Sequence, residues 1–141
     1  MHVSFALFAD AANLSQEGKL NILGVFDAVH VAAFPSVHPR ATLVVRLKGT
    51  VADSGVHSMG LRWLNPQRKE LWSSSAEITV GAPPGTVGEL DMPVIAAIDL
   101  PLDAVGDYKM LVELDGQEHA EIVLHVRGGA PQVRPAGGMV S

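Results

Sequence analysis

The chain of 141 residues contains no cysteine. That removes disulfides, thiolate metal sites and cysteine nucleophiles, and it suits a reducing compartment. Charge is scarce too. Asp, Glu, Lys and Arg make up 18% of the chain, against about 25% in ordinary globular domains. Sheets covered on both faces, or a buried oligomer interface, would account for the deficit. No apolar run approaches the roughly 20 residues of a membrane-spanning helix. Met1 to Ala9 is apolar but has no Lys or Arg and runs straight into Asp10. It therefore reads as a first strand and not as a secretory leader. Ten basic residues face fifteen acidic ones, a net charge of −5, so general nucleic-acid binding is not expected.

The motifs of common chemistries are missing as well. Gly18-Lys19 is no phosphate loop, because that pattern needs glycine at position 13 and Ser or Thr at 20, where the chain has Asn13 and Leu20. There is no Gly-x-Ser-x-Gly and no His-Glu-x-x-His. Of the six histidines, His119 and His125 share a strand face but lie six residues apart, about 20 Å at strand rise. His30 and His38 flank one connection and are the pair a loop-built metal site would use. Asp99, Asp103 and Asp107 surround one connection without the spacing of a calcium loop, and read as turn formers. No cofactor and no metal is called for.

What is present is period-two alternation. Tyr108, Met110, Val112 and Leu114 alternate with Lys109, Leu111 and Glu113, and Ala120, Ile122, Leu124 and Val126 alternate with Glu121, Val123 and His125. Asp115-Gly116 between them marks a β-hairpin. Matching the two core stripes favours a three-residue Asp115-Gly116-Gln117 loop, with Val112 opposite Ala120 and Met110 opposite Ile122. Further strands are expected at Val3 to Phe8, with Val3, Phe5 and Leu7 on one face, and at Lys19 to Val31, bent near Gly24. Others follow at Ala41 to Lys48, His57 to Leu64, Glu70 to Val80 and Met92 to Asp99. Pro35 and Pro39 are kept out of any central ladder. Ser73-Ser74-Ser75 suggests an edge strand. Asp10 to Asn13 reads as a helical turn capped by Asp10. The expected fold is all-β, a two-sheet antiparallel β-sandwich of about eight strands, Ig-like or jelly-roll-like, with a short helical turn near residues 10–14. The Gly106-Asp107-Tyr108 spacing suits a tyrosine corner. Residues 1–127 form the domain, and the Gly- and Pro-rich stretch 128–141 is expected to be a disordered tail.

Charge is unevenly distributed. Residues 40–69 carry six basic residues against Asp53 alone, and residues 70–141 carry eleven acids against Lys109, Arg127 and Arg134. Complementary surfaces on neighbouring strands would explain this; the alternative is a basic patch, with Arg46, Lys48 and Arg62 as its members. Leu111 and Val123, on the hairpin face opposite its core stripe, are the residues a self-association interface would bury.

Phe5-Ala-Leu-Phe-Ala-Asp-Ala-Ala-Asn13, followed by Gly18-Lys-Leu-Asn-Ile-Leu-Gly-Val-Phe-Asp27, resembles the start of a family of small uncharacterised bacterial proteins. Phe34-Pro35, His38-Pro39, Gly106-Asp107-Tyr108 and Asp115-Gly116 extend the resemblance over residues 3 to 126. It implies a bacterial, cytoplasmic, free-standing domain and carries over no catalytic residues. It draws attention to Asp10, Asn13, Lys19, Asn21 and Asp27, polar residues in an apolar stretch that either satisfy backbone groups or line a binding surface. The expected function is a non-enzymatic binding or assembly module with a protein partner or self-association. The alternative is an enzyme or small-ligand-binding domain with a loop-built pocket near Asp10, Asn13 and Asp27.

Overall fold

The computed structural model describes residues 1–129. The strands are β1 (His2–Leu14), β2 (Leu20–Phe26), β3 (Ala28–Val31), β4 (Ser36–Gly49), β5 (Gly55–Leu64), β6 (Glu70–Val80), β7 (Leu90–Leu102), β8 (Gly106–Leu114) and β9 (Gln117–Gly128), with one 3₁₀ turn at Val51–Asp53. A four-stranded sheet in the order β2-β1-β4-β7 packs on a five-stranded sheet in the order β3-β9-β8-β5-β6. Every pairing is antiparallel except β3 with β9, which is parallel. The fold is an all-β sandwich. Of the two topologies expected, the observed order is the immunoglobulin-like one, with β9-β8-β5-β6 corresponding to strands G, F, C and C′.

Two side chains build the centre. Trp63 on β5 and Tyr108 on β8 are fully buried and stack at 5.2 Å between ring centroids. Phe8 meets the Trp63 ring edge-on at 6.1 Å. The Trp63 indole N–H donates to the Pro101 carbonyl (2.9 Å), so its one polar atom is satisfied inside the core. The Tyr108 hydroxyl accepts from the backbone N–H groups of Asp103 (2.7 Å) and Ala104 (2.9 Å) and donates to the Asp103 carboxylate (2.6 Å). This is the tyrosine corner that the Gly106-Asp107-Tyr108 spacing suggested. Asn65 supports it from the β5–β6 turn. Its amide donates to Asp103 (2.9 Å), while its carbonyl oxygen accepts from the N–H of Gln67 and Lys69. Gly106 is required beside that turn: a Cβ there would lie 2.7 Å from Pro66, at a φ of +140°.

The structure corrects several expectations. Residues 10–14 are strand, not a helical turn, because β1 continues to Leu14 and pairs with β2 over Phe8–Leu14. The segment expected as one bent strand, 19–31, is two strands in different sheets, divided at Asp27. That split raises the strand count from about eight to nine. An irregularity between Val3 and Phe5 reverses the phase of β1, so Ala6 and Phe8, not Phe5 and Leu7, join Val3 against the core. Pro39 lies within the central strand β4, tolerated because the register breaks between His38 and Ala41. The adjacent Arg40 has φ +53°, and its N–H donates to Asp99 (2.9 Å).

In the β8–β9 hairpin Val112 faces Ala120 and Met110 faces Ile122, the register the core stripes require. The loop is nevertheless two residues long: Leu114 faces Gln117, and Asp115 and Gly116 have φ of +49° and +82°. Positive φ at both positions is the type I′ turn that Asp-Gly favours. A bulge at His119 then restores the phase, since Glu113 pairs with Glu118 and Val112 with Ala120. At the far end, Gly128 pairs with Val31 and the Gly129 N–H reaches the Val31 carbonyl (3.1 Å). Gly128 thus belongs to the sandwich; the rest of the expected tail, 130–141, lies outside the described residues.

Candidate functional site

The polar residues of the first two strands do not converge. Directly opposed residues of a ladder share a face. Asn13 and Asn21 are such a pair, joined by a side-chain hydrogen bond of 3.0 Å on the outer face of the four-stranded sheet. Asp10 is on the opposite face, its carboxylate over Gly24, where a Cβ would be only 2.3 Å away. Lys19 sits at the β1–β2 turn, 4.0 Å from Glu17. Asp27 marks the crossing between sheets, and its carbonyl accepts the His125 N–H (2.7 Å). Asp10 and Asn13 thus lie on opposite faces of β1, and Asp27 lies beyond the end of β2.

Arg46 and Lys48 project from β4 and Arg62 from β5, so they are split between the two sheets. Each already has an acidic partner. Arg46 engages Asp91 (Nε–Oδ1 2.9 Å), Lys48 engages Glu89 (3.1 Å), and Arg62 lies between Glu70 (2.8 Å) and Glu113 (3.7 Å). The hydrogen bond from Arg46 holds the Asp91 carboxyl below its ordinary range. Leu111 is buried within a single chain, at 7% exposure. Its direct cross-strand neighbours are Arg62 and Glu121, whose long stems cover apolar surface while their charges reach water. Val123 is half-buried beside the Lys109–Glu121 ion pair (3.3 Å). The outer face of the five-stranded sheet is therefore a charged lattice around Leu111.

His30 and His38 line a cleft of about 390 Å³ at the β3–β4 connection, and the His38 ring packs against Phe26 at 5.3 Å. Among the described residues no three His, Asp or Glu side chains are grouped to hold a metal ion. Two other histidines pair with carboxylates: His125 with Asp107 (2.7 Å) and His57 with Asp115 (2.7 Å). His57 also points its second ring nitrogen at the Asp53 carbonyl (2.6 Å). With an acceptor at each nitrogen the imidazolium is the form that satisfies both. The Asp115 hydrogen bond, followed by the Asp53 carbonyl, raises the His57 pKa above its ordinary value.

The most distinctive surface is one that sequence reasoning missed. The cross-strand partners on the outer face of the four-stranded sheet are Leu23–Ala11, Val25–Ala9, Leu7–Val44 and Val44–Ile95, with Ala9–Thr42–Ala97 between them. Val44 and Ala9 are completely buried although they lie outside the core cluster, because the face forms an apolar layer of its own. At its β2 margin that layer is open: Leu23 is 72% and Val25 61% exposed, and Ile95 on β7 is 36% exposed. The alternating signal for this face was cancelled in β1, where both sides are apolar. The inner stripe, expected at Val3, Phe5 and Leu7, absorbed the residues that the bulge sends outward.

No helix of the described residues is long and apolar enough to cross a membrane. No curated protein matches the chain. Residues 4–127, nearly the whole described sandwich, match a family of unknown function, DUF6941. The chain belongs to that family.

Proposed function

We propose that this domain is a non-enzymatic binding or assembly module whose contact surface is the outer face of the four-stranded sheet. One observation carries the reading: an apolar layer on β2, β1, β4 and β7, interrupted at Thr42 and open at Leu23, Val25 and Ile95. Exposed apolar side chains grouped on one face, as Leu23 and Val25 are side by side on β2, mark a place where something docks. The charged residues at the end of this face are already paired, Arg46 with Asp91 and Lys48 with Glu89. A protein partner or self-association suits such a surface better than nucleic acid or a membrane. The bacterial, cytoplasmic setting is the one the sequence resemblance implies.

An environment-sensitive apolar dye, anilinonaphthalene sulfonate, tests the surface on the folded full chain. The wild type should enhance its fluorescence strongly. Ile95→Lys and Val25→Lys should each remove much of that enhancement while the melting temperature and near-ultraviolet dichroism stay unchanged. Enhancement that is absent in the wild type, or undiminished in both variants, would overturn the reading.

A further inference from the structure

Sheet edges present unpaired backbone groups, and folded proteins blunt them with proline, charge, brevity or cover. Three of the four edges here are blunted. β7 carries Pro93 and Pro101 along its length, β6 carries Glu70, Glu77 and the serines 73–75, and β3 has four residues. The fourth edge, β2, reads Leu-Asn-Ile-Leu-Gly-Val-Phe and has neither charge nor proline. Among the described residues nothing pairs with its outer side.

The orientation of its backbone follows from the turn. The Ser15 N–H donates to the Lys19 carbonyl (2.8 Å), which makes 15 and 19 a hydrogen-bonded pair. Hydrogen-bonded pairs alternate along an antiparallel ladder. Asn21, Leu23 and Val25 therefore turn their backbone groups towards β1, and Leu20, Ile22 and Phe26 turn theirs towards the free edge, with a kink at Gly24, whose φ is +71°. We propose that a second copy of this chain occupies that edge, β2 against β2, antiparallel about a two-fold axis through Leu23. Centring on Leu23, the midpoint of the strand, pairs the whole seven-residue element with itself. Leu20 then lies opposite Phe26, and Ile22 opposite Gly24, which has no side chain to obstruct it. Leu23 meets its own copy as a pair without direct hydrogen bonds, the closer of the two antiparallel spacings. A two-fold interface sets each residue near the axis against its own copy. β2 brings no charge to this junction, so no like-charge contact arises there. The result is one eight-stranded sheet whose outer apolar layer runs through both copies. The proposal rests on the reading of that layer as the interactive surface, and the tests below separate the two.

The absence of cysteine makes the register directly measurable on the full chain. A pair of this type has Cα atoms about 4.5 Å apart, inside the roughly 4.4–6.8 Å that a disulfide spans. Leu23→Cys should therefore oxidise to a covalent dimer under mild conditions. Val25→Cys, whose counterpart across the axis is Asn21, should remain mostly uncrosslinked. Light scattering should give the wild type twice the chain mass of 14.9 kDa. Ile22→Pro should halve that mass, because it deletes an edge donor not used by β1; Leu23→Lys should do the same through like-charge contact. A monomeric wild type in which Leu23→Cys fails to crosslink overturns the proposal, as does a dimer in which Val25→Cys crosslinks and Leu23→Cys does not. A dimer abolished by Ile95→Lys and indifferent to Ile22→Pro also overturns it, pointing to face-to-face packing and leaving the surface reading intact. A dimer with the expected crosslink and no dye-binding layer would instead refute the surface reading alone.

Discussion

His57 shows how a single side chain can tie distant segments together. Its two ring nitrogens join the β8–β9 turn, through Asp115, to the end of the 3₁₀ segment, through the Asp53 carbonyl. Asp115 is engaged again by the Ser58 N–H (2.9 Å), and the His57 hydrogen bond, ahead of that from Ser58, lowers its pKa. The sign of the linkage is fixed by these directions. A histidine whose folded pKa is raised adds stability that is complete below its unfolded pKa, about 6.5, and is lost as pH rises through the folded value. The lowered Asp115 adds stability that is present above its unfolded pKa, about 3.9, and is lost as pH falls through its folded value. The pair is therefore most stabilising between these limits. Denaturant unfolding of wild type and His57→Gln should show a stability gap that is largest near pH 5.5 and closes as pH climbs past the folded His57 pKa; nuclear magnetic resonance titration should place that pKa above about 6.5. A gap that stays constant across that range would refute the double-acceptor geometry.

The β8–β9 hairpin makes the corresponding argument for an element. Its core register depends on two irregularities acting together, a type I′ turn at Asp115-Gly116 and the bulge at His119. Gly116 has open space around its Cβ position, so its φ of +82° alone decides the effect of substitution. Gly116→Ala should destabilise the fold by about 1–2 kcal/mol, lowering the melting temperature by roughly 3–8 °C. An unchanged melting temperature would contradict the turn assignment. The same hairpin marks how far sequence carries. Val112, Met110 and Tyr108 were legible as core because each alternates with a polar or outward neighbour over a full strand. The bulge was not, because a three-residue loop and a two-residue loop with a bulge place the same residues in the core. The first two strands were less legible for a different reason. With Phe5, Ala6, Leu7, Phe8 and Ala9 apolar in succession, period two has no contrast to show, and the phase reversal after Val3 leaves no trace. Asp10 to Asn13 resembles a capped turn in its residue types, yet ladder pairing with β2 overrides that local preference. Asp27 is one polar residue among apolar ones, with nothing to announce that the chain changes sheets there. The polar residues singled out near it were visible individually, but their faces depended on that unseen geometry.

Across the whole molecule, the uneven charge distribution is resolved by strand neighbours far apart in sequence. Basic residues of the 40–69 stretch meet acids from beyond residue 70, as in Arg46–Asp91, Lys48–Glu89 and Arg62–Glu113. Pairing likewise carries β9 past residue 127, since Gly128 and Gly129 both engage Val31. Deleting residues 130–141 should therefore leave the melting temperature within about 3 °C of the full chain, whereas deletion from Gly128 onwards should lower it further. A large loss on the shorter deletion would show that the tail contributes to the fold. The same parallel contact has a consequence in time. Among the described residues Ala28 of β3 has its ladder partner at His125, so a ribosome making about 5–20 residues per second leaves β3 waiting roughly 5 to 20 s after its own synthesis. Throughout that interval the segment at 28–31 is an exposed template, placed beside the equally bare edge of β2. The nascent chain is most at risk of joining a neighbour on the same message just before its last strand emerges, and slowing translation across β9 should increase that risk.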